Sequence, residues 1–254
     1  MANVYKLEIS YDGSNFIGFQ RQNEGRSVQA ELEKVISRLN SQIPIKIIAS
    51  GRTDSKVHAL KQVCSFNTNK ELNLNYFTYA LNQALPSDIR CNLVEKVSDD
   101  FHPRYQATKK HYRYLINIGE YNVFEYNYVY QFNRNLNLDA MIEAANLFIG
   151  KHDFRTFSSA PVEQNANKEI FSINITKKND IIIIDYYGSG FLRYMVRKLT
   201  MFLIDIGLEK RKSNEIKTLL DKKDISAYSK IAPGQGLYLV DVSYDGKGDN
   251  NEND

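Results

Sequence analysis

The sequence predicts an α+β fold of two split-βαβ, ferredoxin-like halves, each an antiparallel sheet backed by helices. Three observations carry this. Stretches with strand or helix character follow in the order strand, helix, strand, strand, helix, strand, and a similar set returns with insertions. The first stretch, Val4 to Tyr11, alternates apolar and polar residues with the period of a half-buried strand. The length, 254 residues with 43% hydrophobic and 25% charged, suits one or two ordinary globular domains. The halves do not align as a repeat; only the order of elements recurs. The boundary is expected near Pro103 to Ala107, giving residues 1–103 and 104–244, with 245–254 as a disordered acidic tail.

After the first strand, Asp12-Gly13 supplies turn chemistry. Ser27 is a good N-cap, and Val28, Leu32, Val35, Ile36 and Leu39 recur at helical spacing behind it. Pro44 to Ala49 reads as a short apolar strand ending at Gly51, and the residues around Val63 to Asn67 as another. Asn75 to Leu85 is weakly helical and stops at Pro86; Ile89 to Val97 is a strand. In the second half Tyr112 to Ile118 is strand-like, and Asn137 to Phe148 is an amphipathic helix closed near Gly150. Ile170 to Ile175 and Ile181 to Tyr187 are strands joined by a turn at 177–180. Leu192, Met195, Val196, Leu199, Phe202, Leu203 and Ile206 form the clearest helical stripe, stopped at Gly207. A short helix around Ile216 to Leu220 and a strand from Leu237 to Val242 close the chain.

Composition narrows the chemistry. Two cysteines, Cys64 and Cys91, stand far apart, and the four histidines show no HxxxH spacing. A disulfide framework and a Cys-rich zinc module are excluded on those grounds, and no metal is expected. Carboxylates, arginines and the 17 tyrosines remain as candidates. The net charge is +3, but residues 241–254 carry five carboxylates against Lys247, so the preceding body is more basic than the total suggests. Its basic clusters at Arg104, Lys109, Lys110 and Arg113, at Arg193, Arg197 and Lys198, and at 210–212 suit a polyanion or a solvated surface. The N-terminus shows no basic flank before an apolar core, and the longest aliphatic run, Ile181 to Ile184, is too short to span a bilayer; a cytoplasmic location without a membrane partner is expected.

Four constellations could carry chemistry. Gly188-Ser189-Gly190 lies between a strand and the strong helix, but Arg193 falls where a dinucleotide fingerprint needs its third glycine. A phosphate-accepting helix start or a plain tight turn remains. Gly51-Arg52-Thr53-Asp54 follows a strand, and its i, i+2 spacing would point Arg52 and Asp54 the same way, holding the carboxylate ionised as a nucleophile or base. A structural Arg–Asp turn has the same spacing. Tyr112 and Tyr114 share one face of a strand beside Lys109 and Lys110, which serves base stacking or a core. Arg193 and Arg197 lie one helical turn apart, where Arg197 could reach a carboxylate or stay solvated.

In this order the motifs resemble one family, the bacterial tRNA pseudouridine synthase A family, from about Tyr11 to Val242. Tyr11-Asp12-Gly13, Gly18-Phe19-Gln20 and Ser27-Val28-Gln29 are similar to its opening signature. Gly51-Arg52-Thr53-Asp54 with Val57-His58-Ala59 resembles its catalytic loop, and Phe101 to Tyr105 with Tyr112-Arg113-Tyr114 its central strand. His152-Asp153-Phe154, then Gly190 to Arg193 with Met195-Val196-Arg197, resemble its C-terminal helix; Ala232-Pro233 and Gly236 to Leu239 resemble its closing strand.

The resemblance implies two RRM-like halves whose antiparallel sheets merge around a central RNA-binding cleft, with helices on the outer face. It implies a cytoplasmic homodimer that isomerises uridine to pseudouridine in the tRNA anticodon stem-loop (positions 38, 39 and 40), without metal or cofactor. Asp54 matches the essential aspartate, which attacks ribose C1′ or removes the 2′ proton. Arg52 matches the arginine that holds the target nucleotide out of its stack. Tyr112 matches the tyrosine that stacks on the target base, and Arg197 the partner of the carboxylate. Lys109, Lys110, Arg193 and Arg104 are RNA contacts expected from charge and position. The chain departs from the pattern at Phe19 (a usual tryptophan), Ser55-Lys56 (Ala-Gly), Pro103 (alanine), Lys168 (arginine) and Ser189 (asparagine). Lysine at 56 resists the positive φ that glycine tolerates. A catalytically silent RNA-binding module would need none of Asp54, Tyr112 and Arg197 together, and no second acid at a defined separation supports a carboxylate glycosidase.

Overall fold

The computed structural model describes residues 3–159, 161 and 163–244. The expected tail at 245–254 lies outside them. The first half runs β1 (Asn3–Tyr11), α1 (Val28–Leu39), β2 (Ile48–Ala49), β3 (His58–Thr68), α2 (Leu74–Ala84) and β4 (Ile89–Val97). All its pairings are antiparallel, in the order β4-β1-β3-β2. The second half runs β5 (Ala107–Asn117), β6 (Tyr130–Gln131), α3 (Leu138–Asn146), β7 (Gly150–Asp153), β8 (Asn167–Lys178), β9 (Ile181–Gly188), α4 (Met195–Gly207), α5 (Glu215–Lys222) and β10 (Leu237–Tyr244). Its order β10-β5-β9-β8 repeats the first, with β7 added at the edge and β6 beside β5. Each half is thus a split-βαβ unit.

The halves merge where β10 runs parallel to the start of β3, at Tyr238↔His58 and Leu239↔Ala59. The shortness of β2 permits this. It pairs only with Cys64 and Ser65 of β3, leaving the other end of that edge for β10. Pro44 to Ala49 was expected to be a longer strand. Instead the amide of Ile45 donates to Ser37 Oγ at 2.8 Å and that of Ile47 to Glu33 Oε1 at 3.1 Å, so α1 side chains satisfy this backbone in place of a sheet partner.

Side-chain alternation puts Tyr5, Leu7, Ile9, Tyr11, Leu239, Tyr112, Tyr114 and Tyr186 on one face of the sheet. Helices cover that face in two pairs, α1 with α2 and α3 with α4. Polar caps start three of them: Ser27, Asn73 and Asn137 accept from the amides of Ala30, Tyr76 and Ala140. The strong apolar stripe expected from Leu192 becomes helical only at Met195, because Tyr194 before it sits at φ 61°. Short β7 gave no sequence signal, and β5 begins at Ala107, five residues before the expected Tyr112, since its polar first residues pair with β10.

Helix α4 is held by an aromatic cluster. The ring of Phe202 meets Phe157 at 5.4 Å, Tyr228 at 5.1 Å and Phe148 at 6.3 Å, each edge to face. Phe202→Ala should lower unfolding stability by about 3–5 kcal/mol in urea titrations. A loss under about 1 kcal/mol would show that the cluster does not anchor the helix.

Candidate active site

The 51–57 loop links β2 to β3, and its backbone is fixed from several sides. The amide of Phe19 donates to Thr53 O at 3.0 Å, Gly18 bridges to Asp54, and Ser55 Oγ donates to Phe16 O at 3.2 Å. Beneath it the buried hydroxyls of Tyr11 and Thr53 meet at 2.8 Å. Gly18 has φ 131°, and a Cβ there would lie 2.9 Å from Thr53 O, so only glycine lets the segments approach. Phe19, at the usual tryptophan position, is buried against Tyr11 at 6.3 Å. Lys56 does adopt the positive φ that its side chain disfavours, at 63°.

Asp54 emerges from this loop to meet Arg197 of α4, with Nη1 donating to Oδ2 at 3.2 Å. Arg197 is itself clamped: its Nε donates to Ala232 O at 2.7 Å, and the Ala232 amide donates back to Arg197 O at 3.1 Å. The Tyr114 hydroxyl donates to the neighbouring Pro233 O at 2.7 Å. Burial raises the Asp54 carboxyl above the ordinary aspartate value, while the positive charges of Arg197 and Arg193 work against it. Tyr112, on the helix-covered face of β5, is buried and packs edge-on against Phe191 at 5.3 Å. Burial, and secondarily the charge of Asp54, push its phenol far up, so it stays protonated.

The structure therefore unites Asp54, Tyr112 and Arg197, with Arg193 beside them. It corrects three expectations. Thr53 turns inward, leaving Arg52 and Asp54 on the other side of the loop, yet Arg52 is exposed and no ion pair joins it to Asp54 among the described residues. The second arginine acting on the carboxylate is Arg193. Lys109 lies on the opposite face of β5 from Tyr112, its ammonium over the Tyr187 ring at 4.9 Å, because successive strand residues alternate. Gly188-Ser189-Gly190 does not open α4, which starts at Met195; Ser189 instead donates its amide to Glu169 O at 2.9 Å, tying the turn to β8. Arg104 is exposed before β5, while Lys110 points to the Tyr112 face and donates to Ser50 O at 2.6 Å.

Tyr194 joins the site with no signal in the sequence. It has two guanidinium groups over its ring, Arg193 at 4.7 Å and Arg197 at 5.2 Å from its centroid. A positive φ at tyrosine has no sequence signal, so nothing marked it. Among the described residues no three His, Cys, Asp or Glu side chains are placed to share a metal ion. Cys64 and Cys91 are buried free thiols, and burial pushes Cys91 up to about 12. No described helix is long and apolar enough to cross a membrane.

Lys56→Gly should remove left-handed strain at the turn after Asp54. The expected outcome is a stability gain of about 0.5–1 kcal/mol by chemical denaturation, after the entropy that glycine adds to the unfolded chain is subtracted. A loss of stability would mean that the Lys56 side chain contributes more than its backbone costs.

Comparison with known proteins matches residues 9–106 and 144–245 to the tRNA pseudouridine synthase family. The tRNA pseudouridine synthase A of Bacillus subtilis is 42% identical over 243 residues, covering 94% of this chain and 98% of that protein. The tRNA pseudouridine synthase A of Anoxybacillus flavithermus is 40% identical over 241 residues, with the same coverage. That of Oceanobacillus iheyensis is 41% identical over 248 residues, covering 96% and 98%. The matched segments contain the Asp54 loop, Arg197 and the closing strand, and on this agreement over both halves the chain belongs to the tRNA pseudouridine synthase family.

Proposed function

We propose that the protein isomerises uridine to pseudouridine in the anticodon stem-loop of tRNA, at positions 38, 39 and 40, as a homodimer in the cytoplasm and without a cofactor. The observation that carries this reading is the Asp54 carboxylate, held by Arg197 at 3.2 Å on the sheet face that also presents Tyr112. The reaction breaks the bond from uracil N1 to ribose C1′, turns the base, and joins C5 to C1′; the C5 proton leaves to water and the freed N1 takes one up. Asp54 begins it, either by attacking C1′ or by taking the 2′ proton to leave a glycal. The first route gives an ester that the returning base displaces; the second gives an alkene that the base re-adds to, with the 2′ proton returned. In both, the carboxylate must be ionised and correctly aimed, which is what Arg197 supplies. In this reading Tyr112, on the same face as Asp54, takes the flipped base, and its protonated hydroxyl suits it to hydrogen bonding more than to proton abstraction. Exposed Arg52, on the Asp54 side of the loop, is free to occupy the space a flipped nucleotide leaves.

The decisive assay uses tRNA with tritium at uridine C5. Native protein should release tritium to water, and Asp54→Asn should release none while still binding tRNA. A native protein that binds tRNA but releases no tritium would establish a silent RNA-binding module instead.

The pH dependence follows from the Asp54 environment. A raised carboxyl pKa means that activity falls, as pH is lowered, at a higher pH than for an ordinary aspartate. Arg197 opposes that rise, so Arg197→Met should move the acid limb of the single-turnover rate to still higher pH, besides lowering the rate. An unmoved limb would show that the ion pair does not tune the carboxylate.

A further inference from the structure

We propose that Lys110, Arg104 and Lys168 form a phosphate subsite that grips the RNA strand next to the catalytic loop. The inference deepens the function proposed above and rests on it for the identity of the anion. Lys110 stands two residues before Tyr112 on β5, on the same face. Its ammonium donates to Ser50 O at 2.6 Å and lies 3.0 Å from where a Cβ on Gly51 would stand, three residues ahead of Asp54. Glycine at 51 lets the ammonium pack this close to the catalytic loop, since a side chain there would crowd it.

The cross-strand register explains the cluster. Lys110 pairs with Gly188 on β9, and Gly188 pairs with Ile170 on β8. Lys168, two residues before Ile170, faces the same way, so the two lysines look toward each other over a residue without a side chain. On the other flank β10 presents apolar Val242 opposite Lys110. Tyr244, further along, donates its hydroxyl to Pro103 O at 2.7 Å and fixes the segment that carries Arg104.

Among the described residues the charged groups acting on Lys110 are Arg104 and Lys168, both positive. Burial first, then these two cations, bring its ammonium down to about 8. One of its three N–H donors has a protein acceptor, and two remain. Three cations with no counter-ion among the described residues repel one another. A phosphodiester relieves that repulsion and accepts the remaining hydrogen bonds.

The test measures tRNA affinity by filter binding from pH 7 to 9.5 and across a salt series, with tritium release followed in parallel. Native affinity should fall as pH passes about 8, because Lys110 loses its charge there. Lys110→Met should bind several-fold more weakly at pH 7, lose that pH dependence, and reduce the salt slope by about 1. Lys110→Arg should keep its affinity at pH 9. Arg104→Met, an exposed change that leaves the fold intact, should also flatten the salt slope. Native affinity and slope in Lys110→Met, with only its rate reduced, would overturn the subsite and leave Lys110 as a prop for Ser50. A pH limb that persists in Lys110→Met would overturn it equally. Native protein that shows these binding effects but no tritium release would sink the isomerase reading and spare the subsite.

Discussion

The site depends on one interaction, the ion pair between Asp54 and Arg197. Its partners are 143 residues apart and belong to different halves of the fold. The carboxylate comes from the loop before β3 and the guanidinium from the first turn of α4. They meet only if the two sheets join in one register, and that register rests on the two-residue parallel contact between β3 and β10. The junction is reinforced at His58. Its ring stacks on Tyr238 at 4.7 Å, accepts the Gly13 amide at Nδ1, and donates from Nε2 to Asn127 O at 2.9 Å. With one nitrogen accepting and the other donating, the imidazole is neutral, in keeping with burial holding its pKa down.

Burial sets the electrostatics around that pair. Removing Asp54 from water raises the cost of its charge, and a bare carboxylate there would neutralise. Two arginines from α4 and the turn before it offset this in part, and both guanidinium groups stand over the Tyr194 ring. The strain at Tyr194, a non-glycine residue with φ 61°, belongs to the same arrangement. It ends the preceding loop abruptly enough that α4 begins with Arg197 already facing Asp54. A like strain at Lys56 turns the chain just past Asp54 on the other side of the pair.

Much of the fold could be read from the sequence because its signals are local. The apolar alternation of Val4 to Tyr11, the Ser27 cap and the stripe along α4 each fix an element from nearby residues. What could not be read depends on distant partners. Residues 44–47 look like a strand, and only the approach of Glu33 and Ser37 from α1 takes their amides out of the sheet. The site divides the same way. An ordered set of motifs points to Asp54, Tyr112 and Arg197, whereas the presence of Arg193 in place of Arg52 beside the carboxylate follows from where α4 begins, which the apolar stripe does not encode.

Several motif residues that carry the family resemblance hold backbone. Gly18 admits the Asp54 loop, Ser27 caps α1, Tyr114 holds Pro233, and Ala232 clamps Arg197. The chemistry explains why so many are needed. In the reaction proposed above one carboxylate begins the chemistry, so the rate depends on the aim of that carboxylate, and a displacement of about 1 Å can cost about a hundredfold. Each bond to the 51–57 loop or to Arg197 removes one direction in which Asp54 could drift. The sequence pattern is therefore dense around a site whose proposed reacting groups are few: the restraints on the 51–57 loop and on Arg197 outnumber them.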